Sequence, residues 1–408
     1  MPKQPQLREA VIVDYVRSAF SRSRPREPEK DVFNGLRMDA VSGTLIKELI
    51  KRTKVKPQDI NDVLVGTAFP VGEQWTYGGR TSVFQAELPF EVPAEQIDRQ
   101  CGSSMSTVHL GAMEIMLGYS DVVISCGFDH MTHVPLDVPP SDPRSILRQP
   151  DIAFITDERF KKYDLLSAIN MGFTAEKLFA ESGLTREDMD KWALRSHQTA
   201  AKALEEGYFK GEIMPIEVTL ADGKKQVIDR DMAIRADTTL EGLAQLKPAF
   251  KPDGQITAGN SSPLNAGATA LIMMSKEKAK EYKLKSLATI VSFGWAGVDP
   301  TVMGKGPIPA SKMALKHAGL DVKDIDFWEI NEAFCIVALY AIQQLGIDPK
   351  KVNVKGGATA IGHPLGASGT RLVGTLARIL NMEGGTYGLA NACVGGGQGV
   401  ATIIKREK

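Results

Sequence analysis

Short apolar runs alternate with helix-periodic stretches along much of this chain. Residues 10–16, 62–66 and 121–125 read as strands, while 38–54 and 105–117 carry apolar positions at helical spacing. That alternation predicts an α/β layered fold in which helices cover a sheet. The middle of the chain differs. From about Thr132 to Gly259 charge and proline rise (Pro135, Pro139, Pro140, Pro143), and the clearest helical stretches, 175–182 and 186–206, carry many polar residues. We read this segment as an insertion lying over the sheet layers. The alternating pattern resumes at 268–275 and 287–293, and the chain closes on a strand at 400–405.

The pattern also repeats. At an offset of 265, Val55-Lys56-Pro57-Gln58-Asp59-Ile60-Asn61-Asp62 aligns with Leu320-Asp321-Val322-Lys323-Asp324-Ile325-Asp326-Phe327, and Ala68-Phe69 falls on Ala333-Phe334. At an offset of 262, the helix after Cys101 falls on the one after His363, with Leu110 opposite Leu372. Two matches in the same order point to duplication. It would put Cys101 and His363 at equivalent points of two half-molecules, where a nucleophile and a base could meet.

Composition narrows the function. The 408 residues suffice for two to four domains or one duplicated architecture. With 49 basic and 49 acidic side chains, the chain has no general attraction for nucleic acid or anionic lipid, so a phosphate-bearing ligand would be held by a few local residues. The first ten residues are polar, and no apolar stretch approaches the ~20 residues of a membrane span. The expectation is a cytoplasmic protein with no nucleic-acid partner and no membrane insertion. Four cysteines (Cys101, Cys126, Cys335, Cys393) are too sparse for a disulfide scaffold and lack the paired spacing of a zinc site. They should be thiols, each buried or reactive, and no metal is expected.

Cys101 lies in Asp98-Arg99-Gln100-Cys101-Gly102-Ser103-Ser104-Met105, where a strand-like run gives way to a helix apolar on nearly every face. A cysteine at the start of a buried helix feels the positive dipole end and free N–H groups, which favour thiolate. A small buried cysteine would be the ordinary alternative, but Gly102, Ser103 and Ser104 leave room for a substrate. His363 sits in a glycine-rich string, Gly356-Gly357-Ala358-Thr359-Ala360-Ile361-Gly362-His363-Pro364-Leu365-Gly366-Ala367-Ser368-Gly369, again at a helix start, with Pro364 suited to the first helical position. Among the other histidines, His109 lies two turns along the Cys101 helix and is read as packing, while His130, His133, His197 and His317 have no comparable setting. Cys393 precedes the turn Gly395-Gly396-Gly397 before the last strand, a turn able to aim N–H groups at an oxyanion. Asn331-Glu332-Ala333-Phe334 follows a strand-like run, and its buried amide could orient a water or a carbonyl.

Together these segments resemble the thiolase family, the acetyl-CoA acetyltransferases and 3-ketoacyl-CoA thiolases. The strings that carry the resemblance are Cys101-Gly102-Ser103, Asn331-Glu332-Ala333-Phe334, Gly362-His363-Pro364 and Cys393-Val394-Gly395, with 230, 32 and 30 residues between Cys101, Asn331, His363 and Cys393. Thr257-Ala258-Gly259-Asn260-Ser261-Ser262 extends it, and it covers essentially the whole chain. The resemblance implies two similar βαβαβαββ halves in a five-layered α/β/α/β/α core with an inserted loop domain. The first half would be 1–131 completed by 260–285, the insertion 132–259 and the second half 286–408. It implies Cys101 as acylated nucleophile, His363 as the base for Cys101 and then for the CoA thiol, and Cys393 as the acid/base at the α-carbon. Asn331 would hold a water that forms one oxyanion hole with His363, and the N–H groups of Cys101 and Gly395 would form the other. Arg235, Ser262, Ala333 and Phe334 would contact CoA, with Met171 near the acyl group.

The same resemblance implies acyl-CoA substrates, CoA as substrate or product, no permanently bound cofactor, and a homodimer or homotetramer. Departures occur where relatives usually read Asn-Asp-Gly-Ala-Ala and this chain has Asn265-Ala266-Gly267-Ala268-Thr269, and where Gly127-Phe128-Asp129-His130 replaces a Gly-Met-Glu-Ser type string. Both bear on packing. Cys335, where alanine is common, is read the same way. A ketoacyl synthase of the same superfamily is the rival reading, and Cys393-Val394-Gly395 argues against it. A non-catalytic acyl-CoA-binding protein or a cysteine hydrolase fits the intact strings less well.

Overall fold

The computed structural model describes residues 7–407 except 137, 140, 147 and 148, and for 149–151 only the backbone. Pro140 and the first six residues, on which part of the reading above rests, lie outside the described residues. In chain order the strands are β1 (Ala10–Arg17), β2 (Asp62–Gly66), β3 (Ala94–Ile97), β4 (Val122–His130), β5 (Ile216–Thr219), β6 (Lys225–Ile228), β7 (Ala266–Ser275), β8 (Ala288–Gly297), β9 (Phe327–Ile330), β10 (Tyr387–Val394) and β11 (Gln398–Arg406).

Among the described residues, nine of these strands form one sheet in the order β3-β2-β4-β7-β1-β8-β11-β10-β9, and β5 and β6 form a separate hairpin. The pairing pattern repeats about the centre. In the first half β2 runs parallel to β3 and β4, β4 antiparallel to β7, and β7 antiparallel to β1. In the second half β9 runs parallel to β10 and bridges in parallel to Val352, β10 runs antiparallel to β11, and β11 antiparallel to β8. Within the sheet, the halves join where Val11 and Ile12 of β1 pair with Thr289 and Ala288 of β8. The sequence repeat is therefore a structural one. Its offset of 265 superposes the short turns Pro57–Asp59 and Val322–Asp324, which lead into β2 and β9.

Layering follows from which faces are apolar. The Met38–Thr53 helix covers the outer side of the first half, against β1, β4 and β7, and the Pro307–Ala318 helix covers β8 and β11 of the second. Between the halves the Ser103–Leu117 and Leu365–Glu383 helices pack on each other, the latter touching β4 and β7 on one side and β9 and β10 on the other. Three clusters of buried side chains result, one outside each half and one in the central layer. Strand β1 shows the alternation directly. Val11, Val13 and Val16 enter the outer cluster while Ala10, Ile12 and Tyr15 enter the central one, and the break in alternation matches a bulge between Ile12 and Asp14.

Between β4 and β7 the chain forms the Met171–Ser182 and Arg186–Glu205 helices and the β5–β6 hairpin. Although this segment branches from the first half, both helices pack on the Cys335–Leu345 helix of the second. It is tied back to β1 by Arg17, fully buried, which donates to Glu212 at 2.7 Å and to both oxygens of Asp231 at 2.7 and 2.8 Å. Buried charges persist when paired and hydrogen-bonded in this way.

Candidate active site

The structure brings two loop-to-helix junctions together across the central layer. Cys101 lies in the one-turn 3-10 segment Gln100–Gly102, immediately before the Ser103–Leu117 helix. His363 lies two residues before the Leu365–Glu383 helix, where Pro364 is the N-cap residue rather than the first helical one. The two helix starts approach at van der Waals limits. The Thr370 N–H donates to Ser104 Oγ at 2.9 Å and the Thr370 hydroxyl to Ser104 O at 3.2 Å. A Cβ on Gly369 would stand 2.0 Å from the Met105 nitrogen, and one on Gly127 would stand 2.2 Å from the Gly366 oxygen. Glycine is therefore required at both positions so that the backbones can meet.

His363 is fixed on every side. Its N–H donates to Asn265 Oδ1 at 2.7 Å, and Gly362 before it holds φ +118, with the Asn265 amide against it. The Ser368 hydroxyl donates to Pro364 O at 2.8 Å, which leaves its oxygen to accept from His363 Nδ1–H at 2.5 Å. That network assigns the proton to Nδ1. Nε2 is then the acceptor nitrogen, and its lone pair takes a hydrogen bond from the Asn331 amide N–H at 3.2 Å. Burial pushes the imidazole pKa down to about 3, helped by the Arg371 guanidinium. His363 is thus neutral at rest, a base with its lone pair aimed inward. Asn331 Oδ1, also buried, has no partner.

Cys101 departs from the expectation of a thiolate. Burial pushes its pKa up to about 12; the Gly395 N–H and its own N–H pull it down, but Asp129 and Asp98 add to the rise. Desolvation outweighs the helix start because the residue is almost fully enclosed. Cys393, at the end of β10, is close enough for its charge to couple to Cys101, and burial lifts it well above the usual thiol range. Both thiols are protonated at rest. Cys126 and Cys335 are buried as well, the former pushed up to about 11 and the latter well above the ordinary value. His109 packs as expected, stacked on Phe293 with Nε2 on Thr402 Oγ1 at 2.8 Å.

The expected ligand residues converge from separate elements. An antiparallel bridge pairs Ser261 with Phe334, and Ser262 donates through both its N–H (3.0 Å) and its hydroxyl (3.1 Å) to Ala333 O. Phe334 packs edge-on against Phe250, which in turn fills the space beside Gly172. Met171 begins the helix there, and its Sδ lies 3.7 Å from where a Cβ of Gly395 would sit. Phe334, Phe250 and the Met171 turn thus pack in sequence, and Met171 stands beside Gly395, whose N–H faces the Cys101 sulfur. Arg235 is exposed, with its N–H on His197 Nδ1 at 3.3 Å.

Four supporting residues were not singled out from the sequence. Ser368 orients His363, and Asn265 holds its backbone. Asp129 accepts from the N–H groups of Ala68 and Gly366 and so clamps the His363 turn to β4. Glu332, fully buried, accepts from Trp192 Nε1, Ser196 Oγ, Asn353 Nδ2 and the Thr359 N–H, locking the Asn331 loop to the insertion. Ser368 lay five residues after His363 in one small-residue string, while Asn265 and Asp129 entered the sequence reading only as departures bearing on packing and Glu332 only as part of the Asn331 string. His130 and His133, passed over earlier, stack on each other beside Glu73.

Comparison with known proteins accords with this arrangement. Residues 10–277 match the family model described as "Thiolase, N-terminal domain" and 284–406 match "Thiolase, C-terminal domain". The chain is 41% identical over 404 residues to a 3-ketoacyl-CoA thiolase of Marinobacter nauticus, covering 98% of each, and 40% identical over 404 residues to one of Hahella chejuensis, again covering 98% of each. Among solved structures it resembles the Bacillus anthracis acetyl-CoA acetyltransferase (TM-score 0.86, 36% identity, 99% of this chain and 100% of that one). It also resembles human mitochondrial 3-ketoacyl-CoA thiolase in complex with CoA (TM-score 0.85, 33% identity, 99% of each chain).

Proposed function

The chain belongs to the thiolase family, and from that premise we propose which of its residues carry the thiolytic cleavage of 3-ketoacyl-CoA. The enzyme is an acyl-CoA:CoA acyltransferase working through an acyl-cysteine, with CoA as a substrate. Cys101 is the nucleophile. His363 Nε2 takes its proton as the sulfur attacks the 3-keto carbonyl, and the oxygen that becomes negative is met by polar groups of the site. The bond between the α-carbon and that carbonyl then breaks. The acyl group stays on Cys101, and the α-carbon of the departing acetyl-CoA takes a proton from Cys393. The proton on His363, taken from Cys101, passes on to Cys393. A second thiol, that of CoA, then gives its proton to His363 and attacks the thioester, and the Cys101 thiolate that is expelled takes that proton back from His363.

The observation that supports this most is the hydrogen-bond network of His363, which holds Nδ1–H on Ser368 and leaves Nε2 as the acceptor beside Asn331. With His363 neutral and Cys101 protonated at rest, proton transfer accompanies attack, when the negative charge passes to the carbonyl oxygen. The N–H groups of Cys101 and Gly395 face the sulfur and so stand where a thioester oxygen on it would develop charge. Asn331, beside Nε2, serves the other carbonyl through a water. Ser262, Ala333 and Phe334 hold the CoA arm, Arg235 its phosphate end and Met171 the acyl side. We also infer a division into 1–131 with 260–285, an inserted 132–259 and 286–408, a homodimer or homotetramer, and a cytoplasmic setting. No described helix is long and apolar enough to cross a membrane.

The test separates the two cysteines. Acetyl exchange between acetyl-CoA and a CoA analogue needs a nucleophile, a base and an oxyanion site but breaks no C–H bond. Cys393→Ala should keep much of that exchange while acetoacetyl-CoA thiolysis falls by ~10²–10⁴-fold, and Cys101→Ala should lose both. Equal loss of both activities in a folded Cys393→Ala would refute the assignment.

A further inference from the structure

We propose that Glu73, His130 and His133 form a binding site for a divalent transition-metal ion of the zinc class, separate from the acyl-transfer residues. Each offers a ligand atom, and the three lie within 4.8 Å of one another. The ring of His130 is fully buried; its Nε2 meets Phe33 O at 3.1 Å, while Nδ1 has no partner. If Nε2 carries the proton for that carbonyl, Nδ1 is a bare lone pair in the interior. Such an atom is costly unless something electropositive meets it.

The neighbouring groups are arranged alike. His133 Nε2 meets Asn34 O at 3.0 Å, leaving Nδ1 2.8 Å from Glu73 Oε2. The other Glu73 oxygen accepts from the Met38 N–H at 3.0 Å. All three side chains are thus oriented through their second polar atom by backbone in the 33–38 stretch. This is how outer-shell hydrogen bonds orient histidine and carboxylate ligands on a metal. Two imidazoles and one carboxylate suit zinc or cobalt and are a poor set for calcium or magnesium, which favour oxygen. The rings stack with centroids 3.6 Å apart at 13°. A shared ion therefore requires the half-exposed His133 ring to tilt out of the stack, while His130 stays in place. Bound there, the ion would crosslink the Gly72–Gln74 turn to the end of β4 and the residues just after it, with the start of the Met38–Thr53 helix held through the Met38 N–H on Glu73.

The test titrates the full-length protein, stripped with EDTA, with Co²⁺ and then ZnCl₂. One equivalent of Co²⁺ should give visible d–d bands without a sulfur-to-cobalt charge-transfer band. Zn²⁺ should displace it and raise the thermal midpoint. His133→Gln and Glu73→Gln should each lose affinity by at least ~100-fold, beyond the range seen for outer-shell losses. If Glu73→Gln does not fold, His133→Gln, on the half-exposed ring, carries the comparison. Absence of saturable binding, binding unchanged in both variants, or a charge-transfer band placing the ion on a cysteine would each overturn the proposal and leave an ordinary Glu–His pair.

Discussion

A thiol held at about 12 and an imidazole held at about 3 make Cys101 slow to ionise on its own at neutral pH. Its alkylation by iodoacetamide should therefore keep rising with pH through the range where an ordinary thiol, near 9, levels off. Mass mapping of the modified peptide against pH checks this, and a plateau below about pH 8 would contradict it. If Cys101 carries the acyl group as proposed, the burial that raises its pKa would also limit access of water to the thioester. For Arg235, exposed on a chain with no net positive field, the role proposed is contact with the CoA phosphates. Arg235→Ala should raise KM for CoA esters more than it lowers kcat. Steady-state kinetics with a pantetheine thioester lacking the nucleotide should show no such rise.

At the scale of elements, the proposed site rests on two helix starts lying closer than side chains permit. Gly369 is the contact most open to test, because an added Cβ would meet Met105 backbone rather than a mobile side chain. Gly369→Ala should cost about 3 kcal/mol or more, the upper end of overpacking, and lower kcat by parting Cys101 from His363. Gly297→Ala, where a Cβ meets nothing within 4 Å, should be nearly neutral. Urea midpoints of the two variants make the comparison. Equal costs would mean that the close approach is not what the fold depends on.

For the whole molecule, two fully buried histidines contribute to the response to acid. His109 and His363 are each depressed from 6.5 to about 3 in the native protein, so both stay neutral when folded and take up protons on unfolding. Their stabilisation is present above pH 6.5 and is lost as pH falls toward 3, because the unfolded chain then binds more protons. Glu329 acts in the opposite sense. Burial lifts it to about 8, so its part is lost as pH rises from 4.5 toward 8. Comparing wild type with His109→Gln isolates one histidine. Between about pH 6.5 and pH 4 the variant's urea midpoint should fall less steeply, by up to one proton's worth of slope. Parallel curves would show that His109 titrates normally.

How much was legible differs between fold and site. Alternating periodicity gave the layers, and β2 came out with its predicted bounds, because strand and helix periods are local properties of the chain. The repeat at offsets 265 and 262 was legible because both halves solve the same packing problem with similar residues. The Cys101, Asn331, His363 and Cys393 strings were visible because small residues and glycines must surround them for backbones and substrate to approach. The ionisation of Cys101 was not, since desolvation is set by everything that encloses the sulfur while the sequence shows only its own helix. Ser368, Asn265, Asp129 and Glu332 escaped for a similar reason. Apart from Ser368, their partners lie tens to hundreds of residues away, and a polar residue gains its role only when a distant N–H or ring nitrogen is carried to it. The stacking of His130 on His133 beside Glu73, 57 residues upstream of His130, belongs to the same class. The amino-acid sequence by itself determined the layered duplicated fold and the chemical identity of the groups. Tertiary structure alone decided their protonation, because dielectric and hydrogen-bond partners are properties of the folded surroundings.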